Sequence, residues 1–228
     1  MPDQMIPAPS VRARPLRHVL PAGTELWRVH NARWSGVEFK DSPADLHWGG
    51  GRFCDIRDQL SIEPVPYLYA ALSPLAAVCE TLARDLWMPP NGRRRITQRK
   101  VRDTLLSKVE AAVDLPLVDL TDQAALAAVH QDHWLVTSPK PDYPRTRRWG
   151  SWIRGQAPWS VGFQWPSRQD FGPDTAKVCV LYAPRDGSDL LKPSSVEPLK
   201  LDTLAGRDYV NDLLDPMLIR VEHPRRRT

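Results

Sequence analysis

A strand must pass into a helix at Ser73-Pro74, and this junction constrains the fold more than any other feature of the chain. Residues 66–71 (Pro-Tyr-Leu-Tyr-Ala-Ala) are apolar and aromatic and read as a short strand. Two residues on, Ser73 is placed to cap a helix, and Pro74 fits its first position, where an N–H would go unsatisfied anyway. Leu75, Val78, Cys79, Leu82 and Leu86 then share one face at helical spacing, and Pro89-Pro90 ends the run. Glu80 falls about 140° from the centre of that stripe at roughly 100° per residue. It points away from the packing face, toward a cleft or toward water.

Elsewhere strands and helices mix without regular βαβ alternation, which predicts an α+β fold and not a doubly wound sheet. Strands are expected at 25–30, in pieces over 108–120 broken by Pro116, at 161–166, 177–182 and 217–222. Thr121 is placed to cap a short helix running to His130, and further helices are expected over 144–153 and 204–214. Residues 32–45 and the basic segment 91–98 read as loops. The 23 prolines imply many turns. Residues 1–20 mix proline, arginine and small residues without periodicity and read as a flexible or partner-bound arm. Residues 21–228 are then a single domain.

Bulk properties exclude several classes. No apolar run approaches the ~18 residues of a membrane span, and no apolar signal core opens the chain, so a cytoplasmic protein is expected. Cys54, Cys79 and Cys179 are odd in number and far apart, which argues against a disulfide framework or a zinc site. His130 and His133 lack a third ligand nearby, so no metal is expected. The net charge of +4 sits in Arg93-Arg94-Arg95, Arg147-Arg148 and Arg225-Arg226-Arg227. No DNA-binding pattern accompanies these clusters, so direct nucleic-acid binding is not expected. The arm and the basic tail are contact segments for a protein partner or a second copy of the chain.

The candidate chemistry is concentrated before residue 81. Arg28 lies in Leu26-Trp27-Arg28-Val29, where strand alternation gives it a partly apolar face. There it needs either a structural acid or a ligand phosphate. Arg52 follows Gly49-Gly50-Gly51, a run suited to positive φ or to close approach of a ligand, with amides beside the guanidinium. The alternative is a tight turn with an exposed arginine. Tyr67 and Tyr69 share a strand face and can stack on a flat ring or simply pack in a core. Glu80 can carry catalysis or face solvent. Later, Ser167 and Arg168 close the run Gly-Phe-Gln-Trp-Pro-Ser-Arg and can meet a ribose or a phosphate. Neither a Rossmann fingerprint nor a P-loop is present.

The order of these segments is more specific than any one of them. W-R-V-H, then G-G-G-R-F, then Y-L-Y-A-A-L-S-P-L-A-A-V-C-E, then W-P-S-R resembles the RES domain. That family is named for an arginine, a glutamate and a serine. Val118-Asp119-Leu120-Thr121 resembles its D-L-T segment, and Asp142-Tyr143-Pro144-Arg145-Thr146-Arg147-Arg148-Trp149 its Y-P-x-T-x-x-W helix. The resemblance spans residues 25–185. Phe53-Cys54 replaces the family's W-N, which removes an amide from the turn, and the stretch between His30 and Gly49 is long. Ser167 fits the W-x-S-R form, with Ser151 and Ser160 close by.

The resemblance implies a mixed split β-sheet flanked by helices, like that of ADP-ribosyltransferase toxins. It implies an NAD+-consuming toxin of a toxin–antitoxin pair, cleaving the nicotinamide–ribose bond by hydrolysis or phosphorolysis. NAD+ would be the substrate and inorganic phosphate a co-substrate, with no other cofactor. The partner would be an Xre-like antitoxin. Carried onto this chain, Arg28 and Arg52 would hold the diphosphate. Tyr69, or Tyr67, would stack on nicotinamide. Glu80 would act on the ribose or the nucleophile, and Ser167 would position ribose or phosphate. An ADP-ribosyltransferase acting on a macromolecule and a non-catalytic partner-binding protein are the alternatives.

Overall fold

The computed structural model describes residues 6–7, 10–41, 50–57, 64–167 and 177–222. The strands are β1 (Arg17–Leu20), β2 (Glu25–Asn31), β3 (Tyr67–Ala71), β4 (Arg94–Ile96), β5 (Thr104–Ala111), β6 (Leu115–Asp119), β7 (Gly162–Pro166), β8 (Lys177–Tyr182), β9 (Leu191–Pro193), β10 (Leu199–Lys200) and β11 (Ile219–Val221). The α-helices are α1 (Pro74–Val78), α2 (Gln98–Val101), α3 (Gln123–Ala128), α4 (Trp134–Thr137), α5 (Tyr143–Gln156) and α6 (Leu204–Leu214).

One large sheet runs β1-β6-β7-β8-β3-β2-β5-β10, with β9 also on β5; β4 and β11 form a separate parallel pair. Only β6 and β7 pair in parallel within the large sheet, so it is mixed, and the fold is α+β as expected. The sheet is also split. Strands β2 and β5 pair through seven successive residues, whereas β2 and β3 meet only at Trp27 and Ala71. Beyond that point they diverge, and the gap is bridged at the other end by Lys40, which exchanges both backbone hydrogen bonds with Tyr67 at 2.8 and 3.0 Å.

Apolar residues alternate along the strands and feed two cores, one on each face. The larger contains Phe53, Ile56, Val78, Leu82, Trp149, Phe163 and Trp165; the smaller contains Leu26, Leu68, Val109, Leu117 and Leu181. Gly150 of α5 permits the close packing here, since a Cβ on it would stand 2.7 Å from Ile56 Cδ1.

Several expectations are revised. Ser73 caps α1, its side chain accepting from the Ala76 N–H at 3.0 Å, and Pro74 opens it, but the α-helix is short. It widens into a π-helical turn at Cys79–Ala83 and stops at Arg84, whose extended backbone leads into Asp85 at φ 59°. The helical stripe therefore does not reach Leu86. Residues 91–98 are not a plain loop: Arg94–Ile96 is β4, paired with β11. Asp122, not Thr121, caps the following helix, accepting from the Ala125 N–H at 2.8 Å. The expected arm does not run to residue 20, because Arg17–Leu20 pairs with β6 in full register and the Arg14 N–H donates to Ala128 O. Pro116 sits within β6 and does not break it, with its carbonyl still accepting from Val161. The three cysteines are free and buried. Among the described residues no helix is long and apolar enough to cross a membrane.

Candidate active site

A cavity of about 640 Å³ opens where β2 and β3 part. Both strands line it, through Trp27, Arg28 and His30 on one side and Tyr67, Tyr69 and Ala71 on the other. Glu80 and Arg84 reach it from the π-helical turn, and Gly51 and Arg52 from the glycine turn. The volume lies in the range of ligand sites in general, roughly 300–1,000 Å³.

Topology brings Glu80 and Ser167 together. Strands β3 and β7 both pair antiparallel to β8, so they run in the same direction and end at one edge of the sheet. The chain leaving β3 forms the helix that carries Glu80, and the residue after β7 is Ser167. The buried Ser167 hydroxyl donates to Glu80 Oε1 at 2.8 Å. The π-turn matters for this, because wider winding redirects side chains relative to an α-helix, and such turns recur at functional sites. The cavity wall includes Glu80 but not Ser167. Ser167 was expected to meet a ligand directly; here it reaches the cavity through Glu80. Ser151 instead bonds Arg57 N and Arg147 O, and Ser160 bonds Gly162, so neither alternative serine meets Glu80 in those bonds. Arg168 lies outside the described residues.

The expected arginines both line the cavity, each with a local anchor. Arg28 Nη1 donates to the carbonyls of Gly36 and Glu38 at 2.9 and 2.7 Å, which fixes the segment after β2. Burial draws its pKa down to about 10, with the nearby Glu38 carboxylate and Tyr67 opposing the shift. Arg52 is buried, and its Nη2 donates to Ser138 O at 2.9 Å. Its guanidinium stands 5.3 Å from the Tyr143 ring centroid. Arg84 lies against the same ring at 5.0 Å and hydrogen-bonds the Tyr143 hydroxyl. One tyrosine thus positions two guanidinium groups on the cavity wall.

The glycine turn is held by the strand beneath it. Gly50 takes φ 77°, and a Cβ on Gly51 would lie 2.6 Å from the Tyr69 hydroxyl. That hydroxyl accepts from the Phe53 N–H at 2.8 Å. Tyr69 and Tyr67 meet edge to face at 5.7 Å, and both line the cavity. Burial pushes both phenols above their ordinary pKa. Cys54 stands where the resemblance expects an amide, and it braces the turn through Gly51. Its Sγ accepts from the Gly51 N–H at 3.0 Å and donates to Gly51 O at 3.1 Å. The Gly51 amide, expected as an extra donor beside Arg52, is therefore occupied within the turn.

Arg84, Tyr143 and Ser138 were missed as site residues. Arg84 had a signal, since it lies four residues after Glu80 on the same stretch of helix. Tyr143 had one only as part of the Y-P-x-T-x-x-W run, which gave it no role, and Ser138 had none, because their relevance depends on where these residues meet Arg52. Lys100 also lines the cavity and donates to the Leu82 and Arg84 carbonyls at 3.3 and 3.4 Å, closing the end of the π-turn. Among the described residues no group of three or more His, Cys, Asp or Glu side chains could hold a metal ion.

A family model described as the RES domain matches residues 25–202. No curated protein matches the chain. Among solved structures, a chain of the crystal structure of the M. tuberculosis MbcT–MbcA toxin–antitoxin complex superposes with a TM-score of 0.56 at 16% identity, covering 86% of this chain and 91% of that one. At that identity the likeness speaks to the fold alone.

Proposed function

The chain belongs to the RES domain family, and from that premise we propose that it is an NAD+-consuming enzyme acting as the toxin of a toxin–antitoxin pair. The observation that carries the reading is the convergence of Glu80, Arg28, Arg52 and two tyrosines on one cavity of about 640 Å³ at the split in the sheet. Further support comes from the cations on the wall, where Lys40, Arg84, Lys100 and Lys140 join the two expected arginines and outnumber the carboxylates Glu38, Asp41, Glu80 and Asp85. A dinucleotide needs such a wall, since arginine forks match a diphosphate.

In this reading the bond between the nicotinamide nitrogen and ribose C1 breaks, and its electron pair stays with nicotinamide, which leaves neutral. No general acid is needed. Positive charge builds on the ribose, as in glycoside hydrolysis. Glu80, held by Ser167, lies on the wall as the carboxylate that stabilises this charge and orients the attacking oxygen. Water attack gives ADP-ribose and releases one proton; phosphate attack gives ADP-ribose 1″-phosphate. Arg28 and Arg52 hold the diphosphate, and Tyr69 or Tyr67 stacks on the leaving ring. Buried free thiols and an NAD+ substrate favour the cytoplasm. The fold neighbour comes from a toxin–antitoxin complex, and we extend to this chain a protein antitoxin of the Xre-like kind.

The test is NAD+ loss by the purified chain, with and without inorganic phosphate, beside Glu80→Ala. Glu80-dependent loss supports the reading, and phosphate dependence names the nucleophile. ADP-ribose appearing only on a macromolecule would move the reading to a transferase. No loss and no NAD+ binding would move it to a partner-binding protein.

A further inference from the structure

A second cavity, of about 550 Å³, shares no lining residue with the first. Its walls are the C-terminal turn of α5, the turn leading into β7, and the end of β8 with the turn after it. Arg57, Arg154 and Arg185 line it, and Asp186 is the one carboxylate among its described lining residues. Asp186 Oδ1 already accepts from the backbone N–H and the hydroxyl of Ser188 at 3.0 and 2.8 Å.

Arg154 is the decisive group. It is half-buried, and its guanidinium lies 4.9 Å over the ring of the fully enclosed Tyr182. Among the described residues no hydrogen bond or ion pair engages that guanidinium. Burial draws its pKa down, with only Tyr182 opposing. A guanidinium has five N–H donors, and none of the Arg154 nitrogens is sealed from the groove, so an entering ligand can reach them. An oxyanion would satisfy them with charge-assisted bonds. The hydroxyls of the same wall are engaged internally: Ser151 with Arg147 O and Arg57 N, Ser160 with Gly162 O. Recognition therefore falls to the cations, led by Arg154, and a lining with more arginines than carboxylates among the described residues suits an oxyanion.

We propose that this groove is a second binding site, for a phosphate group. Its ligand is inorganic phosphate or the phosphate of a phosphomonoester, seated on Arg154 with Arg57 and Arg185 at the mouth. Tyr182 separates it from the first site, since its ring lies under Arg154 while its hydroxyl donates to Phe53 O at 3.0 Å. The two sites must therefore be read separately in any titration.

The experiment is NMR titration of the full chain with inorganic phosphate and, separately, with AMP. The Trp159 indole N–H reports the groove and that of Trp27 the first cavity, each assigned by its Phe variant. The expected result is a saturable shift of Trp159 that Arg154→Gln weakens about tenfold or more. A response to inorganic phosphate names the free ion as sufficient, and a response to AMP alone names the phosphomonoester; both uphold the site. Should Arg154→Gln fail to fold, the exposed pair Arg57→Ala with Arg185→Ala is expected to weaken binding severalfold. An unmoved Trp159 with both ligands overturns the proposal, as does a titration that none of these substitutions changes.

Discussion

The Ser167 hydroxyl donates to Glu80 Oε1 at 2.8 Å across 87 residues of sequence. The bond leaves Glu80 on the cavity wall while fixing one of its oxygens. Replacing Glu80 with Gln should lower NAD+ turnover by about 10² or more, the scale of losing a placed electrostatic group. Ser167→Ala removes a bond to a charged acceptor, worth roughly 1.5–3 kcal/mol, and should lower turnover about tenfold. Initial rates of NAD+ loss check both. Comparable turnover in Glu80→Gln and the unmutated chain would remove Glu80 from the mechanism.

Tyr143 should act through the arginines it carries. Tyr143→Leu removes the hydroxyl partner of Arg84 and the ring beneath Arg52 and Arg84. Each cation–ring contact contributes about 0.5–2 kcal/mol, so KM for NAD+ should rise about tenfold with a smaller change in kcat. Arg52→Lys should not substitute for the native residue, because a point charge cannot reproduce the pair of contacts from Nη2 to Ser138 O at 2.9 Å and from Nε to Ser138 Oγ at 3.5 Å. Steady-state kinetics separate these outcomes, and an unchanged KM in Tyr143→Leu would contradict the positioning role.

The glycine turn should be sensitive to its support. Tyr69→Phe leaves the Phe53 N–H without its 2.8 Å acceptor and should destabilise the fold by about 1–3 kcal/mol. Gly51→Ala drives a Cβ to within 2.6 Å of the same hydroxyl and should lower stability by roughly 1–3 kcal/mol through overpacking. Urea unfolding midpoints measure both. The double variant should be less than additive, since Tyr69→Phe removes the nearest of the Tyr69 atoms that Gly51→Ala meets, although ring carbons at 2.8 and 3.0 Å remain.

His30 should make stability fall at mildly acid pH. Its Nδ1 faces Asn31 O at 3.0 Å, which assigns the ring proton there, and Nε2 accepts from Ser107 Oγ at 2.7 Å. Burial, opposed by the bond to Asn31, holds its pKa below the ordinary 6.5. The folded chain thus binds this proton less readily than the unfolded chain. The contribution is whole above the unfolded pKa and is lost as pH falls through it toward the lower folded value. Urea midpoints at about pH 7.5 and about pH 5.5 should fall more in the unmutated chain than in His30→Gln. Equal decreases would contradict the assignment.

Local chemistry made much of the fold legible. Ser73-Pro74 starts a helix whatever surrounds it, because cap and ring act on their own backbone. Residues 177–182 and 204–214 read as strand and helix from period alone, and both match β8 and α6. The order of the short motifs also pointed to the RES domain, since a family signature is a property of sequence. Other features came from contacts between distant segments. Period could not reveal that the helix widens at Cys79–Ala83, which lies against a sheet and a cavity, nor that 94–96 is a strand, which exists only through pairing with β11. Arg28 was legible as an arginine in need of a partner, but three carbonyls of the segment after β2 lie around its Nη1 only because that segment folds back. Ser167 meets Glu80 only because β3 and β7 both pair with β8 and end at the same edge. The sequence by itself determined which residues carry charge, donors and turn propensity. Only the tertiary structure decided which of them share a cavity, because sheet register, not spacing along the chain, sets those distances.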